Sequence, residues 1–434
     1  MTHQKNIKSW VISANTPNCD FPIQNLPFGS FSIRNDSKHT KYVGVAIGDQ
    51  ILNFFSLIKT ISAPKNLESA MHVLANGDLN AYMNLPKNIH QQFRNFLIEL
   101  LKTGSPQEAT LQSCLIPQSD VQMLMPCTVR DYTDFYASIY HATTVGKMFR
   151  SDNPLLPNYK WVPIGYHGRA SSIVPSGTNI KRPIGQTRGG EGEPPFFQPC
   201  RRLDYELEMG IFIGQGNDLG QPIPISQANN HFFGMCILND WSARDIQAWE
   251  YQPLGPFLAK NFASSISPWI VTQEALEPFR KPWIRAISDP QPLPYLTDPQ
   301  NSKLGAYNIQ LETWLQTKKM AQESHEPIRL MKSNFSQAAY WSIAQLITHH
   351  TSNGCNLNAG DLLGTGTLSG PTPEEAGSLL ELSFGGKNPL TLPNGEVRTF
   401  LEDGDTVILK AYCESDNAVR IGFGSCSGTI ISSN

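Results

Sequence analysis

Leu203-Asp-Tyr-Glu206-Leu-Glu208-Met-Gly-Ile211-Phe-Ile213 is the stretch that decides the fold of this chain. It predicts a β-strand that directs Glu206 and Glu208 to one face, because strand side chains repeat with period two. Two neighbouring carboxylates beside an apolar run repel each other and resist burial. A bound hard cation such as Mg²⁺ or Ca²⁺ would remove both costs. The alternative is a solvated strand face that carries two surface glutamates.

Two further acids occupy positions from which they could complete a metal site. Asp240 follows the apolar run 232–238 and precedes a helix that we expect to open near it. It is therefore either a third carboxylate ligand at a strand end or an N-cap aspartate. Asp134 lies in an aromatic segment where extended structure would place it on one face with Tyr136.

Several polar side chains near these acids are candidates for catalysis. Arg244, Gln247 and Tyr251 fall at i, i+3 and i+7 of the expected helix and share one face, which either binds an oxygen-rich substrate or is solvated. Lys260 follows a rigid apolar turn, where it either donates to a developing anion or extends to the surface. His141 is the best general-base candidate among ten histidines, although a lone histidine is more often structural.

The length and the hydrophobic pattern predict two domains. A hairpin over 42–47 and 51–55 and a helix over 89–101 indicate a small α+β domain over 1–118. Residues 119–434 contain many short apolar runs broken by Gly and Pro, which indicates a β-rich, mixed α+β domain. Two helices should interrupt it, one near Asp240 and one from Phe335 to His350.

Composition excludes several classes of partner. The formal net charge is -3 with no long charged run, so we expect neither nucleic acid nor a membrane as partner. The eight cysteines are scattered and no apolar signal core opens the chain, which predicts a cytoplasmic protein with reduced thiols. Only 16% of the residues are charged, which predicts a large buried fraction and a subunit interface.

Together these segments resemble the fumarylacetoacetase family of carbon–carbon bond hydrolases over nearly the whole chain. The resemblance is carried by Asp20-Phe-Pro-Ile-Gln-Asn-Leu-Pro27, Gly44-Val-Ala-Ile-Gly-Asp-Gln50, Asp131-Tyr-Thr-Asp-Phe-Tyr136, His141-Ala-Thr143, Gly165-Tyr-His-Gly-Arg-Ala-Ser-Ser172, Glu206-Leu-Glu208, Asn239-Asp-Trp-Ser-Ala-Arg-Asp-Ile-Gln247, Ser333-Asn-Phe335 and Arg420-Ile-Gly-Phe-Gly424. It implies an SH3-like barrel at the N-terminus, a C-terminal β-roll domain that holds the active site, and a homodimer. The implied reaction cleaves 4-fumarylacetoacetate, a diketo acid, to fumarate and acetoacetate in tyrosine and phenylalanine catabolism.

The resemblance also implies a role for each site residue. The metal ligands would be Asp134, Glu206, Glu208 and Asp240, the same acids that spacing indicates. His141 would be the general base, with Glu381 as its orienting carboxylate. Stabilisation of the reacting oxygens would fall to Arg244, Gln247 and Lys260. The substrate pocket would be lined by Tyr136, Arg150, Tyr166, Tyr251 and Thr367.

Two departures from the family pattern are visible. Ser264 stands where the family usually has threonine, near the contacts that a second cation would make with Lys260, and serine keeps the hydroxyl. The stretch 316–329 is longer than in the family, as a surface loop would be. Two alternatives stay open: a hydrolase or decarboxylase of the same superfamily that acts on an acylpyruvate, and a non-catalytic metal- or ligand-binding protein.

Overall fold

The N-terminal part of the chain forms one antiparallel sheet with helices around it. A computed structural model describes residues 5–36, 38–150 and 152–433. The strands of this sheet are β1 (Phe28–Ile33), β2 (Tyr42–Ile47), β3 (Gln50–Asn53), β4 (Leu115–Pro117) and β5 (Val121–Met123). The helices are α1 (Phe54–Thr60), α2 (Glu68–Ala75), α3 (Leu79–Met83), α4 (Lys87–Leu101) and α5 (Glu108–Leu111).

The strand order of this sheet is β4-β3-β2-β1-β5. The hairpin β2–β3 and the helix α4 confirm the sequence predictions, except that Phe54 and Phe55 already belong to α1. Gly48 has a φ of +59°, which suits the tight turn of that hairpin. The division at residue 118 stays a prediction; β5, which follows it, pairs with β1.

The rest of the chain is rich in short strands, which confirms the predicted β-rich, mixed fold. The strands are β6 (Tyr132–Phe135), β7 (Gly165–Gly168), β8 (Ile173–Pro175), β9 (Ile180–Lys181), β10 (Ile184–Thr187), β11 (Phe196–Pro199), β12 (Leu203–Asp204), β13 (Leu207–Ile213), β14 (Phe232–Asp240), β15 (Ser242–Ala243), β16 (Ser264–Ile266), β17 (Val271–Thr272), β18 (Arg280–Lys281), β19 (Ala306–Tyr307), β20 (Gln310–Gln316), β21 (Ile328–Asn334), β22 (Leu362–Gly364), β23 (Leu390–Thr391), β24 (Val397–Arg398), β25 (Thr406–Ser415) and β26 (Ala418–Ile431).

The helices of this part are short and lie between the strands. They are α6 (Ile139–Phe149), α7 (Ile225–His231), α8 (Arg244–Glu250), α9 (Gln273–Leu276), α10 (Pro299–Leu304), α11 (Lys318–Gln322), α12 (Phe335–Ala338), α13 (Ile343–Thr351) and α14 (Leu379–Leu382). In the long stretch 316–329, α11 connects β20 to β21, so this connection is partly helical. No helix among the described residues is long and apolar enough to cross a membrane.

Two large sheets dominate the C-terminal part. One has the order β7-β6-β22-β13-β14-β16-β8, with β17 also paired to β14. The other has the order β21-β20-β25-β26-β9. In the first sheet, β6, β22, β13 and β14 are consecutive neighbours, although they come from distant parts of the sequence. Asp134, Glu208 and Asp240 therefore lie close together in this sheet, on β6, β13 and β14.

The central strands of the first sheet divide their side chains between two hydrophobic clusters. Leu207 and Met209 pack in the cluster of the C-terminal part. Phe212 and Leu238 pack instead with the N-terminal helices. Because side chains alternate along a strand, Glu208 and Asp240 point to the same side as Phe212 and Leu238. One face of the sheet therefore carries both the packing against the N-terminal part and the acids.

The predicted strand Leu203–Ile213 is interrupted, which corrects the sequence interpretation. Asp204 pairs with Ser242 in a separate two-stranded sheet, and β13 begins only at Leu207. Between them the Glu206 N–H donates to the side-chain Oδ1 of Asn239, at 3.1 Å, instead of to a neighbouring strand's carbonyl. The alternative of a solvated strand face is also wrong, since Glu206 and Glu208 are both buried.

Two predicted helix boundaries are also wrong. Asp240 ends β14, and α8 begins only at Arg244 with Ala243 as its N-cap, so Asp240 is not a cap. The predicted helix from Phe335 to His350 is split into α12 and α13. The split arises because Ser342 and Gln345 form a capping box that starts a new helix.

Candidate active site and metal centre

Strand register assembles a cluster of three buried acids. Asp134 on β6 pairs with Gly364 on β22, and β13, which carries Glu208, is the next strand along. Asp240 lies at the end of β14, paired with Ser264. Ligand atoms of Asp134, Glu208 and Asp240 all lie within 4.8 Å of one another, and all three residues are buried. This is a group of oxygen ligands gathered from three strands.

Burial and mutual repulsion make this cluster unfavourable without a cation. Burial, followed by the neighbouring carboxylates, raises the pKa of Glu208 well above its usual value. Burial and Asp240 raise the pKa of Asp134 in the same way. Burial also raises the pKa of Asp240, although Lys260 opposes the shift. A divalent cation at this point would stabilise the ionised form of all three acids.

Gly364 and Gly366 have no side chains and so leave room for the carboxylates of the cluster. A Cβ at position 364 would lie 2.7 Å from Asp134 Oδ1 and 3.1 Å from Glu208 Oε2. The Gly366 N–H donates to Glu208 Oε2 at 2.9 Å and to Asp134 Oδ1 at 3.2 Å. Gly366 has a φ of +73°, and a Cβ there would lie 2.3 Å from the Phe135 carbonyl oxygen. Any larger residue at either position would displace the acids or the backbone.

The donor set fits a hard cation. Glu208 Oε1 is buried and has no hydrogen-bond partner among the described residues. An orphaned carboxylate oxygen of this kind is costly unless something positive contacts it. All the side chains of the cluster offer oxygen and none offers sulfur or nitrogen, which suits Mg²⁺ or Ca²⁺ rather than Zn²⁺.

Glu206, the predicted fourth ligand, lies beside the cluster and faces two cationic side chains. Its Oε1 is 2.8 Å from Arg244 Nη1, and its Oε2 accepts from Lys260 Nζ. Burial would raise the pKa of Glu206, but Lys260 and Arg244 outweigh that effect and hold it below the usual value. Lys260 Nζ also lies 3.1 Å from Asp240 Oδ2. The role of Glu206 as a ligand stays a prediction.

Two hydroxyl groups named through the family resemblance, those of Ser264 and Tyr166, contact Asp240. Ser264 Oγ donates to Asp240 Oδ1 at 2.7 Å. Tyr166 Oη donates to Asp240 Oδ2 at 3.1 Å. Ser264 and Lys260 thus meet at one carboxylate, and their proposed contacts with a second cation stay a prediction.

His141 and Glu381 form a buried pair. His141 lies on α6, and its Nδ1 is 2.7 Å from Glu381 Oε2 on α14. The same oxygen accepts from Ser369 Oγ at 2.9 Å and from Ser378 Oγ at 2.7 Å. Burial would raise the pKa of Glu381, but His141 and both serines hold it below its usual value. An ionised Glu381 fixes the proton of His141 on Nδ1 and leaves Nε2 to accept a proton.

Of the three residues predicted to share one helix face, Arg244 and Gln247 lie on α8 and Tyr251 follows its end. Arg244 is buried, and its Nη1 donates to Gln247 Oε1 at 3.2 Å. Tyr251 follows the end of α8 and is 42% exposed. The structure therefore brings Arg244 to Glu206 and Gln247 to Arg244, while Tyr251 is exposed.

The remaining predicted pocket residues differ in burial, and Tyr136 contacts the His141–Glu381 pair. The Tyr136 ring meets the His141 ring edge-on, with centroids 5.3 Å apart. Thr367 is buried, and its Oγ1 has no hydrogen-bond partner within the described part of the chain. Arg150 is exposed and donates to the Pro154 carbonyl oxygen. Burial raises the pKa of Tyr136, while the positive charges of Arg244 and Arg150 oppose the shift. The place of Arg150 in the pocket stays a prediction.

Sequence reasoning missed five residues of the site: Asp204, Gly364, Gly366, Ser369 and Ser378. The signal for the glycines was Gly364-Thr-Gly-Thr367 directly after the apolar Leu362-Leu363, where two closely spaced glycines at a strand end indicate a close approach. No signal was available for the serines, because their contacts with Glu381 depend on tertiary structure.

Comparison with known proteins agrees with this geometry. Residues 132–431 match the family described as fumarylacetoacetate (FAA) hydrolase C-terminal, and residues 24–126 match fumarylacetoacetase N-terminal. The chain is 48% identical to fumarylacetoacetase of Homo sapiens over 417 residues, which cover 95% of this chain and 96% of the relative. It is 44% identical to that of Arabidopsis thaliana over 418 residues, with 95% and 96% covered.

Among solved structures, fumarylacetoacetate hydrolase from psychrophilic Exiguobacterium antarcticum superposes with a TM-score of 0.50 at 16% identity. The match covers 94% of this chain and 99% of that chain, and it supports the fold. The fold and the buried acid cluster are those of a metal-dependent hydrolase. The chain belongs to the fumarylacetoacetase family.

Proposed function

We propose that this protein hydrolyses a carbon–carbon bond of 4-fumarylacetoacetate and releases fumarate and acetoacetate, the last step of tyrosine and phenylalanine catabolism. One observation carries the proposal: a buried acid cluster suited to a divalent cation lies beside a buried His–Glu pair, with Glu206 between them. Arg244 and Lys260 bind Glu206, and His141 is close enough to contribute to its lowered pKa. Metal and base can therefore act on one small molecule.

Asp134, Glu206, Glu208 and Asp240 would hold Mg²⁺ or Ca²⁺. A divalent cation held there would polarise the attacked carbonyl and stabilise negative charge on the leaving group.

The chain's own residues supply the proton transfer. Nε2 of His141 removes a proton from water, while the Nδ1–H remains hydrogen bonded to Glu381. The ionised Glu381 stabilises the imidazolium that results, as in other acid–histidine pairs. Lys260, Arg244 and Gln247 place donor groups where negative charge develops on the substrate oxygens.

The pocket walls suit a diketo acid. Tyr136, Tyr166 and Thr367 offer hydroxyl groups near the acid cluster and the His–Glu pair. Arg150 and Tyr251 stand at the exposed rim, where a cation attracts the carboxylates of an incoming substrate. Lys260 and Ser264, which both contact Asp240, would hold the proposed second cation.

The proposal extends to the architecture and the cellular setting. It assigns an SH3-like barrel to 1–118, a catalytic β-roll to 119–434 and a cytoplasmic location. The eight cysteines, all described and all unpaired, support a reducing compartment.

A homodimer is supported by an exposed apolar surface on the hairpin β10–β11 and on α8. Phe197 is 76% exposed there, and Trp249 on α8 donates to Gln186 on β10, which joins the two elements. We expect light scattering to show a dimer at micromolar concentration, and Phe197→Glu should shift it toward monomer because a charge cannot be buried in an apolar contact. Ile287 is an exposed apolar residue outside β10, β11 and α8, and Ile287→Glu is the matched control. A monomeric wild-type protein would contradict the dimer.

The decisive experiment follows the absorbance of the enolised diketone. We expect absorbance to fall when 4-fumarylacetoacetate is mixed with the metal-loaded protein, and to stay constant after treatment with a chelator. An acylpyruvate serves as the comparison substrate. Faster turnover of the acylpyruvate would assign the chain to that chemistry, and no turnover of either substrate with metal present would favour a binding protein.

A further inference from the structure

We propose that Asp204 is a positioning residue that holds Arg244 and the His141–Glu381 pair in fixed relation to each other. The inference rests on the proposed function, because it assigns Asp204 a part in that reaction without contact with the substrate. Asp204 is fully buried on β12, two residues before Glu206, and no sequence pattern singled it out.

Each oxygen of Asp204 accepts from more than one donor. Oδ1 accepts from the N–H groups of Tyr205 at 2.9 Å and Leu379 at 2.8 Å. Oδ2 accepts from Arg244 Nε at 2.9 Å and from the Leu380 N–H at 3.0 Å. A single carboxylate thus accepts from the N–H of the next residue, from the Arg244 side chain at the start of α8 and from the backbone at the start of α14.

These contacts join the two halves of the site. Arg244 is held on one side by Asp204 and on the other by Glu206, whose Oε1 is 2.8 Å from Arg244 Nη1. On the α14 side, Glu381 follows the bonded Leu379 and Leu380 directly, and its carboxylate contacts His141. A shift of Asp204 would therefore move the Arg244 side chain and the His141–Glu381 pair together.

An ion pair that only stabilises the fold would not need contacts with both Arg244 and the backbone of α14. A buried pair is costly to desolvate and is often replaceable by apolar residues, so its place within a site indicates a role in geometry. The chain offers a comparison in Asp405, which is also fully buried. Asp405 accepts from Arg398 Nε at 2.9 Å and Nη2 at 3.1 Å, and none of its contacts involves a site residue.

Asp204→Asn and Asp405→Asn therefore form a matched pair of variants. Both should lower Tm, because each removes one charged partner from a buried arginine. Only Asp204→Asn should lower kcat, by about tenfold or more, with a smaller change in KM, since the loss lies in the geometry of the transition state. Combined with Glu381→Ala, Asp204→Asn should lower kcat by a smaller factor than it does alone, because only its effect through Arg244 then remains.

A readout that does not depend on turnover keeps this proposal separate from the proposed function. In protein with isotope-labelled histidine, the Nδ1 proton of His141 reports its hydrogen bond to Glu381. We expect its NMR signal to shift and exchange faster in Asp204→Asn, and to remain unchanged in Asp405→Asn. If the wild type hydrolyses no diketone, this measurement still decides the role of Asp204.

A second variant covers the case in which Asp204→Asn does not fold. Asp204→Glu keeps the charge but moves the carboxylate by one methylene, so a positioning role predicts a shifted His141 signal and a lowered kcat here too. A folded Asp204 variant with an unchanged His141 signal and wild-type kcat would overturn the proposal. Equal losses of kcat in Asp204→Asn and Asp405→Asn would also overturn it, because they would reflect stability alone.

Discussion

His141→Ala and Glu381→Ala should each lower kcat by about 10²- to 10⁴-fold, the usual range for positioned acid–base catalysis. The expected loss is large because His141 is the proposed base, and Glu381 Oε2 lies 2.7 Å from its Nδ1 within a buried pair. The double variant should be hardly worse than either single one, since neither residue works without the other. Steady-state kinetics on metal-loaded protein measure all three, with thermal unfolding as a check that the variants fold.

His90→Ala is the control for this series. His90 is also buried and hydrogen bonded, to the Tyr82 carbonyl oxygen, but it lies on α4 in the N-terminal part. Its replacement should lower Tm and leave kcat near the wild-type value. If His141→Ala itself turns over substrate at the wild-type rate at neutral pH, histidine is not the base, and a carboxylate must take the proton.

Glu208→Gln should weaken metal binding by at least about tenfold, since even outer partners of metal ligands typically contribute that much. Glutamine preserves the shape and the Gly366 N–H contact but removes the charge from an oxygen that is otherwise orphaned. Metal analysis after dialysis and isothermal titration give the affinity, and activity should fall with metal content. The control is Glu312→Gln, a buried glutamate that contacts Trp314 and Arg329 away from the site. Full metal retention in Glu208→Gln would show that Glu208 is not a ligand.

The pH dependence of the metal-free protein provides a second test of the same cluster. The folded-state pKa values of Asp134 and Glu208 are raised, so the folded protein binds protons more tightly than the unfolded chain. Their contribution to stability is therefore greatest below the usual carboxyl range and is lost as pH rises through the raised values. In chelator, we expect Tm to fall as the pH rises above the usual carboxyl range, and added metal should reverse the fall. Equal Tm values with and without metal at every pH would contradict a cation at this position.

Local patterns predicted those parts of the site that depend on strand periodicity. Glu208 and Asp240 were found because each sits beside an apolar run. His141, in contrast, was only the best general-base candidate among ten histidines until the family resemblance added support. The contact with Glu381, 240 positions away along the chain, leaves no periodic signal.

Sequence reasoning failed where a side chain replaced a backbone partner. Asn239 accepts the Glu206 N–H and so interrupts the strand that alternation had predicted to be continuous. Ser342 and Gln345 start a second helix inside an apolar run that reads as one. The capping box was visible as Ser-x-x-Gln, but the apolar period on both sides concealed it.

The shared face of β13 and β14 limits how far this protein can be divided into modules. The same side of these strands carries Phe212 and Leu238, which pack with the N-terminal helices, and two acids of the cluster, Glu208 and Asp240. A shortened chain that begins at residue 119 would retain every named site residue, yet it would expose an apolar surface continuous with the ligands. Inserting one residue within β13, directly before Glu208, would move each following side chain to the other face of the sheet. Glu208 would then point into the hydrophobic cluster of the C-terminal part. A change that shifts β13 or β14 therefore alters the packing of the N-terminal part and the position of the acids at the same time.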